Sequence, residues 1–220
     1  MPLGSSLVII KLMYSPEKLN EIKRWLGSGS INIFGRPFAG KDAQGKRLME
    51  LLGGNLIGGG DILRKSSMTD QIKAYMRTGK LIPSNDYVNI VLPYLSQPQF
   101  MNEPIFLSSV GRWHGEEDGV IRATKESNHP IKAVIYLDIS NNESHNRWLA
   151  REINNDRSSR HDDTEEILNI RFGEFQDKTV PVLDFYDQLG LLIKIDGKRT
   201  RDEVTLDIIK ALSQLAASSH

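Results

Sequence analysis

The chain has 220 residues, which suits one medium-sized domain with a sizeable core. Its 28 basic and 28 acidic side chains cancel, which argues against a broadly cationic nucleic-acid-binding protein. The absence of cysteine excludes disulfide frameworks, thiolate metal sites and cysteine nucleophiles. Neither a membrane-length apolar run nor a signal peptide is recognisable, so we expect a cytoplasmic protein with no membrane or nucleic-acid partner.

Residues 1–30 are predicted to form an appended N-terminal element. Ser15 and Pro16 are typical of a helix start, and apolar residues recur at helical spacing up to Leu26. The sequence Gly-Ser-Gly-Ser over residues 27–30 predicts a flexible joint after this helix. The helix either packs on the main domain, which we favour, or docks a partner.

From residue 31 onward, short apolar runs alternate with helical stretches, which is typical of a parallel sheet covered by helices on both faces. Five strands are predicted, over residues 31–34, 55–57, 105–107, 133–137 and 191–195. Two capping boxes, which begin at Ser140 and Thr200, predict helices over 141–154 and through 215. Ligands of such sheets bind beyond the carboxyl ends of the strands, so we expect the functional site there.

Residues 35–41 read Gly-Arg-Pro-Phe-Ala-Gly-Lys and match the phosphate-binding pattern G-x-x-x-x-G-K between a predicted strand and a predicted helix. Glycines let the backbone curl so that N–H groups face phosphate oxygens, and the helix adds its positive end. Lys41 adds a point charge for the terminal phosphates. The usual Ser or Thr after the lysine is Asp42, which either binds Mg²⁺, points away or marks impaired function.

Further motifs follow in order along the chain. Residues 60–64 read Gly-Asp-Ile-Leu-Arg, and residues 76–83 read Met-Arg-Thr-Gly-Lys-Leu-Ile-Pro. Arginines then stand at 112, at 147 and 151, at 160 before His-Asp-Asp, and at 171. Together with the phosphate loop, this order resembles the adenylate kinase and nucleoside monophosphate kinase family over about residues 31–212.

The resemblance implies an α/β P-loop kinase fold over residues 31–217, with a five-stranded parallel sheet flanked by helices. It further implies a small acceptor-binding arm over about 59–88 and a short lid over about 152–162. The implied reaction is phosphoryl transfer from ATP, with Mg²⁺, to a nucleoside monophosphate, which is AMP by the resemblance. A monomer is expected.

The resemblance also implies roles for particular residues. Positioned cations must neutralise the phosphates that meet in such a site, and the catalytic ones would be Lys41, Arg112, Arg147, Arg151, Arg160 and Arg171. The donor nucleotide would be bound by Gly35, Pro37, Phe38, Ala39, Gly40, Lys41, Asp42, Ala43, Arg147 and Arg151. The acceptor would be bound by Gly59, Asp61, Arg64, Lys80, Leu81, Ile82, Arg112, Glu116, Arg160 and Arg171.

Several positions depart from the family pattern. Ser108 stands where the family has an aspartate that helps to anchor Mg²⁺, and Asp42 is a candidate replacement for that carboxylate. Glu116 falls at the glutamine that reads the adenine edge. A glutamine both donates and accepts hydrogen bonds, whereas a carboxylate only accepts, so guanine or cytosine would suit Glu116 better than adenine.

Two alternatives to the kinase interpretation stay open at this stage. The first is a degenerate kinase-fold protein that binds nucleotide, has weak or no activity and acts through a partner, because Ser108 has replaced a carboxylate. The second is a P-loop kinase for a non-nucleotide acceptor. Trp113 and His114, in the altered segment, are expected to serve local packing or base stacking.

Overall fold

The computed structural model describes residues 14–59, 74, 78, 93–153 and 164–218, the last three residues of 93–153 by their backbone only. The strands are β1 Ser30–Gly35, β2 Asn55–Gly58, β3 Ile105–Ser108, β4 Ile131–Asp138 and β5 Leu192–Asp196. The helices are α1 Pro16–Leu26, α2 Lys41–Leu52, α3 Glu117–Glu126, α4 Asn141–Ile153, α5 Glu165–Glu174, α6 Val180–Gln188 and α7 Arg201–Ser218. A 3₁₀ turn covers Pro98–Phe100, and a π-helical turn over Phe175–Thr179 joins α5 to α6.

The five strands form one parallel sheet in the order β2-β3-β1-β4-β5. Strand β1 lies at the centre, where Ile33 is in register with Ser108 of β3 and Ile135 of β4. Because all strands run the same way, the segments that follow them meet at one edge. The predicted α/β class, its five strands and their parallel arrangement are confirmed.

Successive side chains of the central strands point to opposite faces of the sheet, and each face carries its own hydrophobic core. On one face, Ile31 and Ile33 of β1 pack with the apolar sides of α1, α2 and α7. On the other face, Phe34 packs with Tyr136 of β4 and with Phe175 and Tyr186 beyond it. Strand residues buried on both sides explain why the sequence shows short continuous apolar runs rather than strict alternation.

Helix α1 shares the core of the sheet. Ile22 and Leu26 are buried in the same cluster as Ile208 and Leu212 of α7. The segment after α1 is held by hydrogen bonds, since Gly29 N–H donates to Leu26 at 2.8 Å and Ser30 N–H donates to Pro130 at 2.8 Å. The expectation of a free joint over residues 27–30 is therefore wrong. The division of the chain at residue 30 stays a prediction.

The capping boxes form as the sequence indicates. Glu143 N–H donates to Ser140 Oγ at 3.1 Å, and Thr200 N–H donates to Glu203 Oε2 at 2.9 Å. Within the described ranges, no helix is long and apolar enough to cross a membrane.

Candidate active site

The phosphate loop, defined here as residues 35–41, connects β1 to α2 at the carboxyl edge of the sheet. Gly35 lies so close to its neighbours that a Cβ there would stand 2.9 Å from the Ala39 Cβ and 3.0 Å from the Leu137 carbonyl oxygen. Gly40, the N-cap residue of α2, has φ 94°, a left-handed conformation that favours glycine. Phe38 also has a positive φ, 59°. The glycine spacing of the motif therefore meets real steric demands of the loop.

Lys41 folds back over the phosphate loop. Its Nζ donates to the carbonyl oxygens of Gly35, at 2.8 Å, and Arg36, at 2.9 Å. Among the described residues, no side chain caps the start of α2, and the uncapped N-terminus of a helix favours an anion. The loop thus brings an ammonium group and a helix N-terminus to one place.

The segment that follows β3, called here the β3 loop and covering residues 109–116, is fixed against β1. Asn32 is fully buried, and its side chain donates to the Val110 carbonyl at 2.7 Å and accepts from the Val110 N–H at 3.3 Å. Ser109 N–H donates to the Ile33 carbonyl at 3.0 Å. Central strand β1 therefore positions both the phosphate loop and the β3 loop.

Asp42 and Ser108 come into direct contact across this edge. Ser108 Oγ donates to Asp42 Oδ1 at 2.6 Å. The contact joins the first turn of α2 to the last residue of β3, 66 positions apart in the sequence. Ser108, at the end of β3, has no carboxylate, and the carboxylate of Asp42 lies directly beside it.

Two adjacent buried carboxyl groups, Glu116 at the end of the β3 loop and Glu117 at the start of α3, have different surroundings. Glu117 accepts from His114 Nδ1 at 2.7 Å and from the Gly115 N–H. Glu116 accepts from the Trp113 N–H through Oε2 at 3.1 Å, while its Oε1 is buried with no hydrogen-bond partner among the described residues. His114 is therefore a local structural partner of Glu117.

Burial dominates the electrostatics of Glu116 and raises its pKa to about 7. The Trp113 N–H and the positive charge of Arg112 act in the opposite direction, whereas the charge of Glu117 adds to the rise. Near neutral pH, Glu116 is consequently present in substantial amounts as the neutral acid, which can donate a hydrogen bond as well as accept one.

Arg147 of α4 lies beside the phosphate loop. Its Nη2 donates to the Gly197 carbonyl at 2.6 Å and its Nε donates to Glu143 Oε1 at 2.7 Å. Its Nη1 stands 3.5 Å from the carbonyl oxygens of Phe38 and Ala39. The side chain therefore connects the segment after β5 with the phosphate loop.

The other predicted arginines are placed to different degrees. Arg112 is half-buried in the β3 loop, and its carbonyl accepts from Thr179 Oγ1 at 3.2 Å. Arg171 is half-buried in the last turn of α5. The backbone of Arg151 belongs to α4, and its side chain lies outside the described part of the chain.

The remaining predicted acceptor residues fall mostly on the arm. Gly59 is buried directly after β2. The residues that lie outside the described ranges are Asp61, Arg64, Lys80, Leu81, Ile82 and Arg160. The roles implied for them, and the bounds of the arm and lid, stay predictions.

Two residues of the site are not evident from the sequence pattern. Asn32 lies within an apolar strand, and a buried amide inside a strand signals a side-chain bond to a neighbouring loop. Arg36 was one of the variable positions of the motif, and its contacts depend on β4 and on the π-helical turn. Neither contact partner can be found from local sequence, because each lies more than 70 residues away.

These features define a phosphate-binding α/β protein with a P-loop between the central strand and the following helix. The family model for adenylate kinase matches residues 33–191. The chain is 30% identical over 188 residues to the adenylate kinase of Cyanothece sp., with 83% of this chain and 94% of that protein aligned. It is 31% identical over 185 residues to that of Leptospira biflexa, covering 82% and 97%, and 29% identical over 213 residues to that of Methanocella arvoryzae, covering 84% and 98%.

The chain therefore belongs to the adenylate kinase family and is a nucleoside monophosphate kinase, a phosphotransferase that acts on nucleotides. The resemblance seen in its motifs is confirmed. The alternative of a degenerate nucleotide binder without kinase function is not favoured by these findings.

Proposed function

We propose that the chain transfers the terminal phosphoryl group of ATP, taken with Mg²⁺, to AMP. The observation that carries the proposal is the meeting of three groups at one edge of the sheet. These groups are the phosphate loop with Lys41, the Asp42–Ser108 pair and the β3 loop with Glu116. The proposal includes a monomer, which rests on the resemblance alone, and a cytoplasmic location, which rests on the expectation from the sequence.

The oxygen atoms of Asp42 and Ser108 could serve as ligands of a Mg²⁺ ion. Asp42 is exposed, and its carboxylate lies at the start of α2 in contact with the Ser108 hydroxyl, so two hard oxygen ligands converge there. Mg²⁺ takes one or two carboxylates, retains waters and shares the substrate phosphates. Among the described residues, no cluster of three or more His, Asp or Glu side chains could hold a metal ion. When bound, Mg²⁺ supplies positive charge to the phosphates that react.

Lys41 would exchange its bonds to the loop carbonyls for bonds to phosphate oxygens. Its Nζ is held by neutral carbonyl groups, and a charged phosphate oxygen is a stronger acceptor than either. Arg147, at the rim of the loop, would face the donor, and Arg112, in the β3 loop, would face the transferred group. These cations stabilise charge that spreads over the phosphoryl oxygens as the transfer proceeds.

Glu116 supports adenine as the acceptor base when it is in its neutral form. Its Oε1 has no hydrogen-bond partner in the part of the chain that the structure describes, and a proton on that atom could be donated to a ring nitrogen of the base. The pKa of about 7 makes this neutral form accessible under ordinary conditions. An acid-form glutamate then does what a glutamine would do, which removes the objection to adenine that the sequence raised.

The test is a coupled assay with ATP, Mg²⁺ and one nucleoside monophosphate at a time, at pH values on both sides of 7. AMP should be accepted best, and its advantage should shrink as the pH rises. A preference for GMP or CMP at every pH would replace the adenine assignment while leaving the kinase function intact.

A further inference from the structure

Arg36 is the residue that follows β1, and its side chain contacts residues in and just after β4 and at the start of α4. Its Nη1 donates to Tyr136 Oη at 2.8 Å and to the Ile139 carbonyl at 3.1 Å. Its Nε donates to Asn141 Oδ1 at 2.8 Å, at the first residue of α4. The flat guanidinium also lies over the Phe175 ring, with Cζ 4.9 Å from the ring centroid. One side chain thus joins the phosphate loop to β4, α4 and the π-helical turn.

Tyr136, which accepts a hydrogen bond from Arg36, is itself held in place by Asp138. Tyr136 Oη donates onward to Asp138 Oδ1 at 2.9 Å, and Lys194 Nζ stands 3.0 Å from Asp138 Oδ2. Burial alone would raise the pKa of Asp138, but hydrogen bonds from Lys194 and Tyr136 and the charges of Lys194 and Arg36 outweigh it and lower that pKa. Asp138 is therefore ionised at neutral pH and anchors a continuous network from β5 to the phosphate loop.

The backbone of Arg36 faces the opposite direction, toward the predicted phosphate site. Its carbonyl oxygen accepts from Lys41 Nζ at 2.9 Å. The side-chain contacts fix the peptide that carries this carbonyl, and they leave the guanidinium directed at protein groups instead of at the loop interior. An arginine in a phosphate loop would ordinarily be assigned to phosphate contact, and these bonds argue against that assignment.

We propose that Arg36 is a positioning residue, whose guanidinium clamps the phosphate loop to β4, α4 and the π-helical turn so that the loop is preorganised for the donor phosphates. The role rests on the proposed function only in taking ATP as the ligand of the loop. Preorganisation raises affinity because the ligand then loses less free energy in ordering the site.

The clamp should act on the donor side alone. The β3 loop has supports that do not involve Arg36, because the Asn32 side chain binds Val110 and the Ser109 N–H donates to the Ile33 carbonyl. Loosening the phosphate loop leaves those supports in place. A donor-specific effect therefore distinguishes the clamp from a general loss of stability.

Arg36→Lys tests the clamp because lysine keeps the charge but cannot make the forked bonds or lie flat on Phe175. The dissociation constant for ATP, measured by titration calorimetry, should rise about tenfold, as should KM for ATP, while KM for AMP stays within about twofold. The value of kcat at saturating ATP should fall by less than about threefold. Arg122→Lys, a change at an exposed arginine on α3, is the matched control and should leave every value unchanged.

Two further variants guard against a folding artefact. Tyr136→Phe removes one acceptor of Arg36, so it should weaken ATP binding by itself and should make Arg36→Lys less harmful when the two are combined. Asn141→Ala, at an exposed residue, removes a single bond and should give a smaller effect in the same direction.

The proposal is overturned if Arg36→Lys leaves the ATP dissociation constant within about twofold of wild type, or if it weakens ATP and AMP equally. It is also overturned if Arg36→Lys and Tyr136→Phe are strictly additive. A wild-type chain that binds ATP but phosphorylates no AMP would instead refute the proposed acceptor, and the ATP titrations would still decide the role of Arg36.

Discussion

The phosphate loop and the β3 loop end side by side at one edge of the sheet, yet they are held in different ways. The phosphate loop is held by the Arg36 side chain, which binds Tyr136 of β4, and its Lys41 donates to the Gly35 carbonyl within the loop. The β3 loop is fixed from inside, by Asn32 of the central strand, and it carries Glu116 with an unpartnered oxygen among the described residues.

The contrast explains where the chain departs from its family. In the phosphate loop the proposed ligand would be bound by backbone N–H groups, and Gly35 and Gly40 meet the steric demands of that backbone. In the β3 loop the chemistry depends on side chains, which can be exchanged when a neighbour compensates. We propose that Asp42 facing Ser108 is one such compensation and that the raised pKa of Glu116 is a second.

The largest effect on turnover is expected from removing the Lys41 ammonium group of the phosphate loop. Lys41→Ala should lower turnover by about two to three orders of magnitude, because it removes a cation that stabilises charge in the transition state. Steady-state rates of ADP formation measure this change, and circular dichroism checks the fold. Lys46→Ala, at an exposed position on α2, is the control. A folded Lys41→Ala protein with wild-type turnover would contradict the assignment.

The Asp42–Ser108 contact between the two loops is tested by metal dependence. Asp42→Asn should raise the Mg²⁺ concentration for half-maximal rate by about tenfold, and it should leave metal-free ATP binding unchanged or tighter because a repulsive charge is lost. Asp42→Gly combined with Ser108→Asp should restore activity by returning the carboxylate to β3. If Asp42→Asn is faster at ordinary Mg²⁺, the carboxylate is a liability and the exchange between the loops is refuted.

The role of Glu116 in the β3 loop is tested by the pH dependence of the reaction with AMP. The neutral acid is the donating form, so kcat/KM for AMP should fall as the pH rises through about 7. Glu116→Gln keeps a donor at every pH and should abolish that decline. Glu126→Gln, an exposed change on α3, should keep the wild-type profile. A decline that survives in Glu116→Gln would assign the titration to another group.

The smallest effect is expected from the buried support of the β3 loop. Asn32→Ala leaves the Val110 N–H and carbonyl without their partner and should lower the free energy of unfolding by about 2–3 kcal/mol. Thermal denaturation measures the change, and Asn146→Ala, at an exposed residue on α4, is the control. Equal melting temperatures for wild type and Asn32→Ala would show that Asn32 does not support the loop.

Much of this architecture follows from local sequence. The five strands and the helix starts at Ser15, Ser140 and Thr200 depend on short-range periodicity and capping, and the structure has them where the sequence indicates. The phosphate-loop motif can also be found locally, because its pattern spans seven residues. The close approach of Gly35 to Leu137 of β4 is the part of its geometry that only the folded sheet provides.

What the sequence could not predict depends on strands that meet only in the folded sheet. The contact of Asp42 with Ser108 requires that β1 and β3 be neighbours, and the contacts of Arg36 require β4 on the other side. The expected free joint at residues 27–30 was wrong for a related reason, because Pro130 supplies the acceptor for Ser30 N–H. The pKa of Glu116 likewise comes from burial by distant elements.

The most direct test of the account is the rate of ADP formation from ATP, Mg²⁺ and AMP at pH 6.5, compared with the rates for CMP, GMP, UMP and dTMP under the same conditions. The account predicts that AMP is the best acceptor, by about tenfold or more over each of the others. Phosphorylation of none of the five by the folded chain would contradict it, since a complete phosphate loop with a compensated metal ligand should then have been active.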